Sequence, residues 1–475
     1  MTGGLRKGLT SYGDPAFSLF LRKAFIKAMG FSDDALERPI VGITDTSSDY
    51  NPCHGNVPSL LAAAKRGVML AGGLPMAFPT ISIHESFAHP TSMFLRNLMA
   101  LDAEEMIRAQ PMDAVLLIGG CDKTIPALLM GAASAEVPAI VLPTGPMLVG
   151  HHRGEVLGAC TDCRRLWALH RAGTIDAGEI EAVNGRLAPT VGTCMVMGTA
   201  STIACMTEAL GMALPGAASI PATHADRVRA AEASGAAAVR LARDGVTPRR
   251  ILTRAAFRNA LTVLQAIGGS TNALIHATAI AGRLGIRIDL DAFDRLGREV
   301  PVLVDLKPSG AHYMEHFHWA GGVPRLLREL RPHLDLGCAT VAGGTLADVA
   351  DQAEDVPGQT VIRGADNPIA TGGGLAVLRG NLAPSGALLK RSAATPALLR
   401  HEGRAVVFDT IEDMTTRIDD EALEVAAEDV LVLRNAGPRG APGMPEAGYL
   451  PIPRKLARAG VKDMLRISDA RMSGT

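Results

Sequence analysis

The first two-thirds of the chain alternates short apolar runs with alanine-rich segments of helical spacing. Residues 39–44 (PIVGIT) and 113–118 (DAVLLI) have the length and composition typical of buried strands. Each run is followed by a turn-rich loop and then by a helical pattern, at residues 57–70 and 127–133 respectively. Alternating strand and helix patterns are typical of βαβ units, in which helices flank a mostly parallel sheet. The pattern therefore predicts an α/β fold for this part of the chain.

The pattern changes after a turn-rich segment at about residues 350–374. Beyond it, turns rich in glycine and proline separate short β-type runs at residues 375–379, 405–408 and 430–433. Clusters of turn residues between regions of different pattern are typical of a connection between domains. We therefore predict an N-terminal α/β domain over residues 1–365 and a β-rich second domain over residues 366–475.

Composition and charge narrow the class of protein. At roughly 150 residues per domain, a chain of 475 residues holds about two to three domains. Lys and Arg together number 47 and Asp and Glu 48, so no overall field favours nucleic acid or anionic membranes. The 7 scattered cysteines argue against a secreted disulfide framework, and the N-terminus lacks the apolar core of a signal peptide. The uncharged stretch at residues 187–207 is too rich in threonine for a membrane span. We expect a cytoplasmic protein without nucleic-acid or membrane partners.

Three cysteines occur in similar contexts. Cys53 lies in the loop after the first strand pattern, Cys121 follows the second, and Cys194 lies in a comparable turn before a helical pattern. Ligands of open α/β sheets bind where strands end. Free cysteines are also among the most buried residue types, so three unrelated core thiols explain the same pattern. If the three thiolates meet, they suit an iron-sulfur cluster with one open iron site, which is a Lewis acid.

The residues beside Cys121 can serve a divalent cation as well as a cluster. Asp122 and Lys123 follow it directly. A phosphate-binding loop is the competing interpretation, but that loop requires glycine before its Lys-Thr pair, where this chain has Asp122. Glu85 and Glu446 lie in turn-like segments and offer the hard oxygen atoms that Mg²⁺ prefers. A lone carboxylate of this kind is more often simply solvated.

Cys160 and Cys163 form a CxxC pair. A structural zinc site needs a second pair of ligands, and the chain has only isolated cysteines to offer. No thioredoxin-like context precedes the pair. We therefore interpret both residues as structural or incidental thiols.

Ordered motifs along the whole chain carry a family resemblance. They are NPCHGN, GGCDKTIPALLMGAA, GTCMVMGTAST, GGSTNALIH, VDLKPSG, DNPI, RGNLAP, GPRGAPGMPE and SDARMSG. From about residue 5 to its last residue, the chain resembles the dihydroxy-acid dehydratase and phosphogluconate dehydratase family. The segments SDYNPCH, HESF, GGCDKTIPALLMGAA and SDARMSGT are more similar to the sugar-acid (aldonate) branch than to the enzyme of branched-chain amino-acid synthesis.

The resemblance implies a set of site residues. Cys53, Cys121 and Cys194 would ligate an iron-sulfur cluster, of 2Fe-2S type by preference, with 4Fe-4S as the alternative. The residues implied around Mg²⁺ are Glu85, Asp122, Lys123 and Glu446. Lys123 is expected to be carbamylated, so that its amine becomes an oxygen ligand, and Ser473 is expected to be the catalytic base.

The function implied is that of a hydro-lyase that converts a 2,3-dihydroxy sugar acid to a 2-keto-3-deoxy acid. Three alternatives stay open: dihydroxy-acid dehydratase of amino-acid synthesis, an inactive relative that acts only as a binding partner, and an iron-sulfur electron carrier. The last would leave the magnesium-type carboxylates without a role.

The resemblance also bears on the end of the chain and on assembly. Members of the family continue past the Ser-Gly-Thr turn at which this chain stops, so we expect the chain to be truncated. Its β-barrel-like second domain would then be incomplete. A homo-oligomer, dimer or tetramer, is expected.

Overall fold

The structure is a computed structural model that describes residues 3–9, 12–444 and 450–472. Its α-helices are α1 (Pro15–Lys27), α2 (Asp33–Leu36), α3 (Val57–Leu70), α4 (Ser92–Ala109), α5 (Thr124–Ala135), α6 (Thr161–Arg171), α7 (Ala177–Leu187), α8 (Thr199–Ala209), α9 (Ala225–Asp244), α10 (Pro248–Ile251), α11 (Arg254–Ala266), α12 (Asn272–Arg283), α13 (Leu290–Glu299), α14 (Met314–Trp319), α15 (Gly322–Glu329), α16 (Leu346–Asp351), α17 (Ile411–Arg417) and α18 (Arg454–Arg458). Its strands are β1 (Ile40–Asp45), β2 (Leu74–Pro79), β3 (Ala114–Gly119), β4 (Ala139–Pro143), β5 (Gly150–His152), β6 (Glu155–Leu157), β7 (Leu375–Leu378), β8 (Ala387–Lys390), β9 (Ala405–Phe408), β10 (Val430–Leu433) and β11 (Arg466–Ser468). Within those ranges, no helix combines the length and the apolar character needed to cross a bilayer.

A four-stranded parallel sheet forms the centre of the first domain. Its strand order is β2-β1-β3-β4, so β1 and β3 are neighbours. Nearly all residues of β1, β3 and β4 are buried, because helices including α3, α5 and α9 pack against the sheet. The predicted α/β fold is confirmed. Both predicted strands lie within one residue of their expected positions, and α3 covers the predicted residues 57–70.

The third cysteine-bearing segment differs from the expectation. Residues 190–198 form a loop with one β-bridge, between Thr193 and Pro146, and follow no strand of the central sheet. The amide of Thr193 donates to the carbonyl of Gly145 at 2.9 Å, and the amide of Met147 donates back to Thr193 at 2.8 Å. These partners lie just beyond the end of β4. Cys194 therefore reaches the carboxyl edge of the sheet by tertiary hydrogen bonds and not by a strand of its own.

Two glycines let α3 and α9 approach closely. A Cβ atom at Gly67 on α3 would overlap the backbone carbonyl of Glu232, and one at Gly235 on α9 would overlap that of Ala64. Close helix packing of this kind tolerates no side chain at either position. Because α3 begins four residues after Cys53, this contact also fixes where the loop that carries Cys53 lies.

The C-terminal region, which corresponds to the predicted second domain, contains small sheets. Strands β9, β10 and β11 pair in parallel in the order β11-β10-β9, and they have a hydrophobic core of their own around Phe408 and Leu431. Strands β7 and β8 form an antiparallel hairpin that packs against the core of the first domain through Leu375. The strand patterns predicted at residues 375–379, 405–408 and 430–433 are confirmed. Within the described residues, the expected barrel-like domain is represented by this three-stranded sheet and this hairpin.

Candidate active site

Two cysteines lie side by side at the carboxyl edge of the sheet, because the strands that precede them are neighbours. Cys53 lies in the 3-10 turn Pro52–His54 after β1, and Cys121 lies between β3 and α5. Both residues are buried, each with 4% of its surface exposed. A hydrogen bond with Cys121, together with burial, raises the pKa of the Cys53 thiol well above its usual value. The two thiols form a buried pair.

His54 ties the loop of Cys53 to the turn of Cys121. Its Nε2 accepts hydrogen bonds from the backbone amides of Gly120, at 2.9 Å, and Cys121, at 3.2 Å. Burial lowers the pKa of His54 to about 4, so the ring is neutral near pH 7. Because Nε2 is the acceptor, the one ring proton lies on Nδ1, which is 2.9 Å from the carbonyl oxygen of Thr46.

Cys194 joins the buried pair and brings a fourth thiol with it. Its Sγ lies 2.8 Å from the Sγ of Cys160, the residue before α6. The hydrogen bond with Cys160, burial, and the charges of Cys121 and Asp122 raise the pKa of the Cys194 thiol well above its usual value. Cys194 lies close enough to Cys53 and Cys121 for the charges of these groups to affect one another, which argues against three unrelated core thiols.

Lys123 bridges two carboxylates directly beside these thiols. Its Nζ donates to Oε2 of Glu85 at 2.8 Å and to Oδ2 of Asp122 at 2.5 Å. The side chain of Lys123 has no solvent exposure. Glu85 begins the 3-10 turn that follows β2, the outer neighbour of β1. The structure thus brings together three of the four residues that the resemblance places around Mg²⁺.

Arg471 reaches this cluster from the second domain. Its Nη2 donates to Oε1 of Glu85 and to Oγ1 of Thr91, both at 3.0 Å, and its Nε donates to the carbonyl of Met444 at 2.8 Å. Only 1% of its side chain is exposed. Burial alone would raise the pKa of Glu85, but Lys123 and Arg471 are among the neighbours that lower it to about 2. Glu85 is therefore held as a carboxylate.

Glu446 and Ser473, which the resemblance assigns to the magnesium site and to the base, lie outside the described residues. Met472, the neighbour of Ser473, contacts the first domain: its carbonyl accepts a hydrogen bond from Oγ1 of Thr271 at 2.9 Å. Thr271 directly precedes α12. Thr271 lies in the motif GGSTNALIH and Met472 in the motif SDARMSG, and both motifs carry the family resemblance.

For some residues, the sequence gives little or no indication that they belong to the site. A ring nitrogen of His84 lies within 4.8 Å of the sulfur atoms of the buried thiol pair, and burial lowers the pKa of this ring. The available signal for His54 and His84 is that each adjoins a predicted site residue. Arg471 and Cys160 are indicated only indirectly, by the SDARMSG motif that also contains Ser473 and by the CxxC spacing, because their partners in the site are distant in the chain. Of the two predicted alternatives for Cys160, structural or incidental, its contact with Cys194 favours the structural one.

Sequence models of one protein family match most of the chain. The N-terminal model of the dihydroxy-acid/6-phosphogluconate dehydratases matches residues 38–349, and the C-terminal model matches residues 360–475. The chain belongs to this family. As a dehydratase, it is a hydro-lyase, an enzyme that eliminates water from its substrate.

Individual relatives of this dehydratase cover both branches of the family. The chain is 49% identical to L-arabonate dehydratase of Azospirillum brasilense, over 96% of this chain and 79% of the relative. It is 46% identical to 6-deoxy-6-sulfo-D-gluconate dehydratase of Pseudomonas putida, over 93% and 77% respectively. It is 39% identical to dihydroxy-acid dehydratase of Moorella thermoacetica, over 95% and 82%. The family models do not support the expected truncation, since the second one matches as far as residue 475.

Proposed function

We propose that this dehydratase removes water from a sugar acid to give the 2-keto-3-deoxy acid. The observation that carries the proposal is that three cysteine thiols meet the cluster of Glu85, Asp122 and Lys123 at one edge of the sheet. The reaction removes a weakly acidic proton from C2 and expels hydroxide from C3, so each centre needs its own electrophile. The relatives named for arabonate and sulfogluconate support a sugar acid as the substrate.

The sulfur donors fit an iron-sulfur cluster. Clusters of this kind are held by cysteine thiolates, and Cys53, Cys121 and Cys194 gather without forming a disulfide. Three thiolates leave one coordination position open on either a 2Fe-2S or a 4Fe-4S cluster, and we propose the 2Fe-2S form. When bound, the cluster would supply Lewis acidity toward the departing C3 hydroxyl.

The oxygen donors fit Mg²⁺ if Lys123 is modified. Carboxylate oxygens are the ligands that Mg²⁺ prefers, and Glu85 and Asp122 supply them. An ammonium group cannot ligate a cation, so we propose that the amine nitrogen of Lys123 bonds to the carbon of CO₂ and releases a proton. The resulting carbamate would supply an oxygen ligand in addition to that of Glu446. When bound, Mg²⁺ would stabilise negative charge on the substrate carboxylate and on C2 oxygen.

The remaining roles fall to residues of the chain itself. We propose that Ser473 takes the C2 proton, which requires neighbouring positive charge to lower the pKa of its hydroxyl. Arg471, two residues earlier, keeps Glu85 ionised and joins the second domain to the first. His54 holds the turn of Cys121 against the loop of Cys53, so it positions the thiols and does not touch the substrate.

An anaerobic assay of keto-acid formation tests the proposal. The chain is supplied with Mg²⁺ and with pentonates, hexonates or dihydroxyisovalerate. We expect turnover of a sugar acid, and we expect Cys121→Ser to lose cluster absorbance and turnover together. Cys338→Ser is the matched control, because Cys338 contacts Asn259 and lies away from the thiol group. Turnover that survives in Cys121→Ser would refute the assignment of the ligands.

Dihydroxy-acid dehydratase activity is the second candidate, supported by the relative from Moorella thermoacetica. Turnover of dihydroxyisovalerate without turnover of any sugar acid would establish it.

We also propose a homo-oligomer, because α1 exposes Phe20 and Phe25, at 65% and 74%, and exposed apolar patches mark contact surfaces. Light scattering that gives the mass of a single chain would refute the oligomer.

A further inference from the structure

Four thiols, and not three, gather at the candidate active site. The Sγ atoms of Cys160 and Cys194 are 2.8 Å apart, although the residues are 34 positions apart in the chain. Sulfur atoms in a disulfide are about 2.05 Å apart, so these two need to move by less than about 1 Å to bond. None of the roles proposed above uses Cys160.

The backbone holds Cys160 in an unusual conformation. Its φ and ψ angles are 76° and −56°, a combination that is rare and strained for a residue with a side chain. Contacts around the turn maintain it: the amide of Cys160 donates to Sγ of Cys163 at 3.3 Å, and the amide of Gly158 donates to the carboxylate of Asp162 at 2.8 Å. A strained backbone conformation persists where several surrounding contacts hold it, and such residues cluster at functional sites. Here the strained turn presents the Cys160 sulfur to Cys194.

The four thiols differ in their access to solvent. Cys53 and Cys121 are buried, whereas Cys160 and Cys194 are partly exposed as residues, although burial still raises the pKa of the Cys194 thiol. The susceptibility of a thiol to oxidation follows its exposure as well as its thiolate character. A small oxidant in solution therefore reaches the pair of Cys160 and Cys194 before it reaches the buried pair.

We propose that Cys160 and Cys194 form a reversible disulfide when no cluster is bound, with a hydroperoxide as the oxidant. One thiol attacks a peroxide oxygen, the O–O bond breaks, and the sulfur becomes a sulfenic acid. The other thiol then attacks that sulfur, the S–S bond forms, and water leaves. With hydrogen peroxide, the two sulfurs lose two electrons in total and two molecules of water are released.

The disulfide has a consequence for cluster binding, and that consequence rests on the proposed function. A bonded Cys194 cannot ligate iron, so reduction has to precede assembly of the cluster. The bond also protects Cys194, because Cys160 is the thiol in direct contact with it, and a sulfenic acid that no thiol captures reacts with a second peroxide to give the irreversible sulfinic acid and water. Cys160 is then a protecting partner for one cluster ligand.

Peptide mapping of the full chain tests the disulfide directly. The metal-free protein is treated with one equivalent of hydrogen peroxide, digested without reduction and analysed by mass spectrometry. We expect a crosslinked peptide that contains Cys160 and Cys194, two hydrogens lighter than the separate peptides, and lost on treatment with dithiothreitol. A crosslink between Cys53 and Cys121, a crosslink between Cys160 and Cys163, or no crosslink would overturn the proposal.

Reconstitution with iron and sulfide tests the protection. After two equivalents of peroxide per chain and then dithiothreitol, the wild-type chain and the control Cys338→Ser should regain all of their iron, whereas Cys160→Ser should remain depleted and carry a sulfinic acid at Cys194. Full recovery in Cys160→Ser would overturn the protective role. If Cys194→Ser binds as much iron as the wild type while the wild-type crosslink still forms, the proposed ligand set fails and the disulfide stands.

Discussion

Replacement of His54 tests whether a single buried ring positions the thiol pair. The substitution His54→Phe keeps a planar ring of similar volume but removes both nitrogens. The amides of Gly120 and Cys121 then lose the acceptor that they share in the buried turn. A buried donor without a partner costs about 1–3 kcal/mol, so two of them should lower the free energy of unfolding by about 2–6 kcal/mol. We expect the iron bound per chain to fall as well.

A second substitution at the same position separates the hydrogen bonds from the packing. In His54→Gln, the side-chain carbonyl can take the place of Nε2 and accept from both amides, so most of the loss should be recovered. His151→Phe, at an exposed position, is the control for an added ring. Urea unfolding followed by circular dichroism gives the stabilities, and iron analysis gives the occupancy. If His54→Phe and His54→Gln agree within about 0.5 kcal/mol, the amide hydrogen bonds do not hold the turn.

Four further substitutions have outcomes that urea unfolding can measure. Gly67→Ala should destabilise the chain by about 1–3 kcal/mol because it forces α3 away from α9, whereas Gly282→Ala, with open space around it in α12, should stabilise by about 0.5–1 kcal/mol. Arg471→Met leaves Lys123 as the buried cation that still contacts Glu85, so loss of the charged hydrogen bond from Arg471 should cost about 1.5–3 kcal/mol; an unchanged stability would show that this ion pair does not hold the domains together. Burial raises the pKa of Glu208 to about 7 from 4.5, so the folded chain keeps a proton that the unfolded chain releases. Its stability should therefore fall by up to about 3 kcal/mol as the pH rises from about 5 to 7, and Glu208→Gln should flatten this dependence.

The central sheet was predictable because its signals are local. The strands β1 and β3 are short apolar runs that need cover on both faces, and turn residues mark where they end. The start of α3 was also predictable, at residue 57, but the role of Asn56 just before it was not. Its side chain does not cap the helix; its Nδ2 donates to the carbonyls of Thr144, at 2.8 Å, and Ala222, at 3.0 Å. A local rule located the helix, and a tertiary contact determined what the side chain does.

The arrangement of the site depends on contacts that spacing along the chain does not encode. The family resemblance led to Cys194, while no strand pattern explains its position, because its loop is held by Gly145 and Met147 beyond the end of β4. The CxxC spacing directed attention to Cys160 and Cys163 as a pair. In the folded chain the sulfur nearest to Cys160 on another element belongs to Cys194.

The order of the site residues along the chain determines which part of the site can form first during synthesis. The strands β1 and β3 end by residue 119, and the last of the four thiols is at residue 194. Arg471, the partner of Glu85 from the second domain, lies 386 positions after it. During synthesis, the sulfur-binding half of the site can therefore fold while the second domain is still on the ribosome. The carboxylate half closes last, so a nascent chain would be competent to hold iron before it is competent to turn over substrate.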